Sequence, residues 1–151
     1  MAVEVGDRAP DFELQDQHGV PVRLSDLRGS EVVLVFYPLA FSPVCHGELG
    51  AIRDELVPSA PAGVRVLTVS VDSMFSHRIW ADAEGFTFPL LSDFWPHGGV
   101  AQAYGVFDDV KGQAVRGTFI LDGEGVVRWK IVNEIGSPRD VAEYRKVLEE
   151  L

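Results

Sequence analysis

The sequence predicts a mixed α/β sandwich with both faces of one central sheet covered, and three observations carry that expectation. Residues 32–37 (VVLVFY) and 64–71 (VRVLTVSV) are apolar, β-branched runs of strand length. Each is followed by apolar residues at helical spacing: Leu49, Ile52 and Leu56 after the first, Phe75, Ile79 and Trp80 after the second. Two later runs, 117–121 and 126–132, flank Asp122-Gly123-Glu124-Gly125 and read as a hairpin. Strands that alternate with helices and then pair directly make a layered α/β architecture.

In chain order, Phe12-Glu13-Leu14 and Val22-Arg23-Leu24 flank Asp16-Gln17-His18-Gly19 and form a first β-hairpin. Residues 25–29 (SDLRG) make one turn of helix closed by glycine. The strand at 32–37 stops at Pro38, which has no N–H to give a ladder. After Leu39, Ala40 and Phe41, Ser42 stands as an N-cap and Pro43 at the first helical position. That helix ends near Leu56, ahead of Pro58 and Pro61. Residues 74–84 form a helix stopped by Gly85, with Phe75, Ile79 and Trp80 on one side. Residues 88–91 read as a short strand, 100–104 as a short helix, and Asp109-Val110-Lys111-Gly112 as a turn. Asp140 caps a last helix to Leu151. No linker, repeat or low-complexity tract interrupts this order, so residues 1–151 read as a single domain. Its 46% hydrophobic content suits a substantial core.

Charge narrows the function classes. Asp and Glu outnumber Lys and Arg 23 to 13, for a net charge of -10. Phosphate binding needs clustered basic residues, so nucleic acid is not an expected partner. An acidic surface is also unsuited to an anionic membrane. The opening MAVEVGDRAPDF is charged and broken by proline, which is no signal peptide. The longest apolar run is about ten residues and contains Pro38, far short of a membrane span. A single cysteine forbids an intrachain disulfide, and a reducing cytoplasm is the natural setting.

That one cysteine, Cys45, lies in the first turn of a helix that leaves the carboxyl end of a buried strand. Sites in open α/β sheets form at such ends. The thiolate is the nucleophilic form of cysteine, and unpaired N–H groups with the positive end of the helix dipole favour the anion. The bland alternative is an inert, buried small hydrophobe. His46 adjoins Cys45, but neighbours along a helix do not face each other, so it reads as solvent-exposed. His18, His77 and His97 have no metal-ligand spacing with the cysteine. Phe86, Phe88, Phe94, Trp95 and Trp80 read as core or interface aromatics.

Pro38-Leu39-Ala40-Phe41-Ser42-Pro43-Val44-Cys45 resembles the active-site signature of the peroxiredoxins: a proline, Thr or Ser four residues on, then the peroxidatic cysteine. Gly6-Asp7-Arg8-Ala9-Pro10-Asp11-Phe12 is similar to the usual entry to that family, and Arg116-Gly117-Thr118-Phe119-Ile120 to its arginine segment. The match runs from about residue 3 to residue 132. Phe36-Tyr37-Pro38-Leu39-Ala40-Phe41 and residues 86–98 (FTFPLLSDFWPHG) further resemble the one-cysteine AhpE-type members of mycothiol-using bacteria. Ser42 departs from the threonine most relatives carry, keeping the hydroxyl but losing the methyl that restrains its rotamer.

The resemblance implies a thioredoxin-like three-layer sandwich with an N-terminal β-hairpin, and a cysteine-based peroxidase that needs no cofactor. It makes Cys45 the nucleophile, Arg116 and Ser42 its partners toward peroxide, and Pro38 a shield against water. Glu48, one helical turn beyond Cys45, would orient the arginine, and Phe41 and Trp80 would wall the pocket. Full ionisation of a thiol raises its reactive fraction only ~30-fold, about 2 kcal/mol, so a fast peroxidase also needs donors aimed at the departing oxygen. With no second cysteine, the resolving thiol must be external, for which the resemblance implies mycothiol with a mycoredoxin, or a thioredoxin-like protein. It also implies a homodimer, with Phe41, Trp80, Phe94 or Trp95 at its interface. A thioredoxin-type oxidoreductase would need a second cysteine in a C-x-x-C pair, and His46, Gly47 and Glu48 follow Cys45 instead. A peroxide sensor or holdase of low turnover would use the same sulfenic acid.

Overall fold

The computed structural model describes residues 3–133 and 141–151. A hairpin opens the chain: β1 (Glu13–Gln15) pairs antiparallel with β2 (Pro21–Arg23). The Asp16 carboxylate accepts the His18 and Val20 amides and fixes the turn between them. A 3₁₀ turn, Leu24–Leu27, leads into β3 (Val32–Phe36), every residue of which is buried.

Beyond β3 the chain crosses to α1 (Pro43–Ala51), whose end passes through a wider π turn, Ile52–Leu56, into α2 (Val57–Ser59). Then come β4 (Arg65–Ser70), α3 (Met74–Glu84), β5 (Leu90–Ser92) and α4 (Gly99–Ala103). The small pair β6 (Phe107–Asp108) and β7 (Gln113–Ala114) precedes β8 (Arg116–Leu121), β9 (Val127–Asn133) and α5 (Val141–Glu149).

The five-stranded sheet runs β5-β4-β3-β8-β9, with β3, β4 and β5 parallel and β8 antiparallel to both its neighbours. Val33, Val35 and Tyr37 face Leu49, Ile52, Leu56, Trp80 and the α5 residues Tyr144 and Leu148. Val32, Leu34 and Phe36 face Phe12, Leu24, Ala101, Tyr104 and Phe119. A strand covered on both faces has no reason to alternate apolar with polar residues, which is why 32–37 is one unbroken apolar run. Leu49, Ile52 and Leu56 are fully buried, at roughly 1.5–3 kcal/mol apiece, and they press the cysteine helix onto the sheet.

Four expectations change in detail. The helix after Cys45 does not end at Leu56, because the π turn shifts its register and places Pro58 in the first turn of α2, where no N–H is needed. The buried face of α3 is His77, Trp80 and Ala81, while Phe75 and Ile79 are exposed on its other side. Of the two places expected for Phe94 and Trp95, core or interface, the core is ruled out, since both are exposed; Trp95, at 80% exposure, lines a groove of about 610 Å³ with Leu14, Met74, Phe75 and Phe94. The turn at 109–112 joins two short strands that the sequence did not suggest, since β6 and β7 are too short for periodicity. Gly85 does stop α3, in the left-handed conformation, with its N–H on the Ala81 carbonyl. Asp140 lies outside the described residues.

His77 is fully buried between α3 and the sheet, and burial lowers its pKa to about 4 against the opposing pull of Asp72. The unfolded chain takes up the proton near 6.5, the folded one only near 4. Stability is therefore lost as pH falls from about 6.5 to about 4, by roughly 3 kcal/mol, and this contribution is flat outside that window. Urea unfolding at stepped pH reads it: wild type loses stability across the window, and His77→Gln loses distinctly less. Equal slopes for the two proteins would assign the proton uptake elsewhere.

Candidate active site

The register of the sheet builds the site. Phe36 pairs with Gly117, so Arg116 starts β8 beside the carboxyl end of β3, where the chain leaves through Tyr37 and Pro38 toward α1. Residues 71 apart in sequence thereby meet: Arg116 Nη1 lies 3.3 Å from Cys45 Sγ. The same nitrogen donates to the Glu48 carboxylate. Glu48 follows Cys45 by three positions on α1, so both side chains face the same way. Cys45 is 0%, Arg116 2% and Glu48 4% exposed. The guanidinium thus sets a positive charge and an N–H donor directly against the sulfur. Because Sγ is fully covered, a substrate reaches it only when neighbouring side chains part.

The loop between β3 and α1 carries the other predicted residues. Pro38 is buried. Phe41 takes a left-handed φ of 68°, which costs a non-glycine residue about 1 kcal/mol, and its half-exposed ring leans on Trp80 with centroids 5.7 Å apart. Trp80 itself is buried, so it supports Phe41 from beneath. Ser42 occupies the N-cap position by backbone but does not cap: its hydroxyl donates to the Leu39 carbonyl at 2.9 Å, leaving its lone pairs open. His46 points away from the sulfur, with Nε2 2.7 Å from Glu84 Oε1 on the surface. Among the described residues, no group of three or more His, Cys, Asp or Glu side chains is placed to hold a metal ion. No described helix is long and apolar enough to cross a membrane.

A model of the AhpC/TSA family matches residues 5–130. The chain belongs to the AhpC/TSA family. It is 49% identical over 139 residues to alkyl hydroperoxide reductase E of Mycobacterium tuberculosis, covering 91% of each chain. It is 38% identical over 158 residues to the chloroplastic 2-Cys peroxiredoxin BAS1 of Spinacia oleracea, covering 97% of this chain and 59% of the other. Among solved structures, AhpC of Enterococcus faecalis superposes with a TM-score of 0.88 at 32% identity, over 99% of this chain and 92% of that one. Peroxidoxin BcpB of Mycobacterium tuberculosis does so with 0.85 at 32% identity, over 99% and 98%. The layered sheet is thus thioredoxin-like, and the protein is a peroxiredoxin enzyme with one cysteine, of the AhpE type.

One part of this peroxiredoxin's site had no counterpart in the sequence reading. Asp72, just past the carboxyl end of β4, accepts the Ala40 N–H at 2.8 Å and so holds the loop from behind. The available signal was position: β4 pairs in parallel with β3, so a polar residue two beyond its end sits level with the loop.

Proposed function

We infer that Cys45 reduces hydrogen peroxide, organic hydroperoxides and peroxynitrite in a one-cysteine cycle closed by an external thiol, in a reducing cytoplasm. The observation that carries this reading is the Arg116 guanidinium 3.3 Å from Cys45 Sγ with Glu48 bound to the same nitrogen. In the first step Sγ bonds to the outer peroxide oxygen. The O–O bond breaks with its electron pair on the inner oxygen, which takes a proton and leaves as water or alcohol, or leaves as nitrite when the substrate is peroxynitrite. Cys45 is left as the sulfenic acid. Arg116 and the amides of the first turn of α1 neutralise charge on the departing oxygen. Ser42, its hydroxyl proton held by Leu39 O, offers its lone pairs to the peroxide O–H and keeps the peroxide in line with sulfur. Pro38 covers the thiolate without contributing a donor.

The sulfenic acid then condenses with an incoming thiol, releasing water and forming a mixed disulfide. A second thiol attacks that disulfide and returns Cys45 to the reduced state. Mycothiol with a mycoredoxin, or a thioredoxin-like protein, supplies these thiols. A homodimer belongs to the same reading, with the exposed Phe41, Phe94 and Trp95 at its interface; Trp80 is excluded because its ring is buried.

Mass spectrometry after one equivalent of hydrogen peroxide tests the cycle. The expected product carries one added oxygen at Cys45 and, with mycothiol present, one mycothiol in its place. Cys45→Ser gains neither, and native spectra of the reduced protein show two chains. Wild type left unmodified under these conditions would refute the peroxidase. A rate no faster than that of a free thiol would favour the sensing role.

A further inference from the structure

Behind the active-site loop lies a polar chain, buried except at Asp72, that the proposed cycle does not use. Asp72 Oδ2 accepts the Ala40 N–H at 2.8 Å and the Ser70 hydroxyl at 2.6 Å. Ser70 Oγ is 2.7 Å and Tyr37 Oη 3.1 Å from His77 Nε2. An ionised carboxylate only accepts, so the Ser70 proton points to Asp72 and Ser70 Oγ takes the Nε2–H of a neutral His77. The Asp72 backbone is itself tied down, since Ser92 Oγ donates to its carbonyl at 2.7 Å.

The geometry points to Asp72, oriented by Ser70 and His77, as a positioning residue that sets the active-site loop through the Ala40 amide. The deduction rests on the peroxidase reading above. Ala40 immediately precedes Phe41, the one non-glycine residue with positive φ among those described. On the far side of Phe41, Ser42 links the loop to α1: its carbonyl accepts the His46 N–H at 2.8 Å, and its hydroxyl reaches back to Leu39 O. The carboxylate therefore pins the middle of residues 38–42, whose two ends carry Pro38 and Ser42. Without it the Ala40 N–H is buried and unpaired, and Phe41 is free to leave its strained conformation. Ser42 and Pro38 then lose their fixed distance from Cys45.

A group that positions the loop for peroxide differs from one that merely stabilises the fold. Stopped-flow reduction of hydrogen peroxide and alkylation by iodoacetamide are measured side by side on folded Asp72→Ala, Asp72→Asn and Ser70→Ala, at a temperature where circular dichroism shows native structure. Asp72→Ala is expected to lower the peroxide rate constant by about tenfold to a hundredfold while alkylation stays within about twofold. Asp72→Asn keeps an oxygen for the Ala40 N–H and recovers the rate to within about threefold of wild type. A peroxide rate for Asp72→Ala within threefold of wild type, an equal fall in both reactions, or an asparagine variant as slow as alanine would overturn the proposal. If Asp72→Ala does not fold, Ser70→Ala decides: a selective fall of about threefold or more supports it, and no fall overturns it. A wild-type rate no faster than a free thiol's fails the peroxidase reading itself and the present one with it.

Discussion

Arg116→Ala is expected to lower the second-order rate of peroxide reduction by about 10²- to 10³-fold, the usual loss when one donor to a developing oxyanion is removed. The size of the effect separates two roles for the guanidinium. If Arg116 only kept Cys45 ionised, its loss would cost at most ~30-fold, about 2 kcal/mol, because a free thiol is already a few per cent thiolate at neutral pH. A greater loss means that the guanidinium also acts on the departing oxygen. Arg116→Lys sharpens the distinction. The ammonium keeps the positive charge but not the planar fork that can reach Glu48, sulfur and a peroxide oxygen together. A lysine variant still about tenfold or more below wild type assigns the deficit to geometry rather than charge. Stopped-flow tryptophan fluorescence measures both, and alkylation of Cys45 across pH tracks the thiolate independently. Rates for both variants within about threefold of wild type would remove Arg116 from the chemistry.

Much of this was legible in the sequence because the chemistry is local there. The run at 32–37, the stop at Pro38 and the proline at the start of α1 place Cys45 in a first helical turn with no tertiary information. Glu48 follows from helical spacing alone. Arg116 does not: only the resemblance of residues 116–120 to the family's arginine segment sets it apart from a surface charge, and the antiparallel register Phe36–Gly117 that brings it to Cys45 is a long-range property. Gly117 also becomes intelligible only in the fold, since a Cβ there would come within 2.8 Å of Val106. Side-chain direction was legible least. Phe75 and Trp80 belong to one helix with similar apolar character, and only packing decides that Trp80 turns inward beneath Phe41 while Phe75 stays in water. Ser42 has the residue type and position of a cap, yet its hydroxyl donates to Leu39 O and accepts from no helix amide, a placement set by the course of the loop and not by residue type.

Glu48 gives the second large effect, and there two physical arguments predict opposite signs for the rate. Glu48→Ala removes a carboxylate bound to the buried Arg116, and breaking such a pair costs about 3–5 kcal/mol of stability, read as a lowered urea midpoint. Glu48→Gln retains an oxygen for the guanidinium and loses less. On charge alone, deleting an anion beside sulfur would favour the thiolate and speed attack on peroxide. On geometry, the carboxylate accepts a hydrogen bond from one N–H of Nη1 and so directs the other at Sγ; without it the guanidinium turns away and attack slows. The charge effect saturates once the thiol is ionised, whereas misplacement of a donor by about 1 Å costs about a hundredfold with no such ceiling. Geometry therefore prevails: Glu48→Gln slows peroxide reduction by about tenfold and Glu48→Ala by about a hundredfold. A glutamine variant faster than wild type would mean that Arg116 needs no anchor, and that the buried carboxylate serves the fold at the expense of the sulfur.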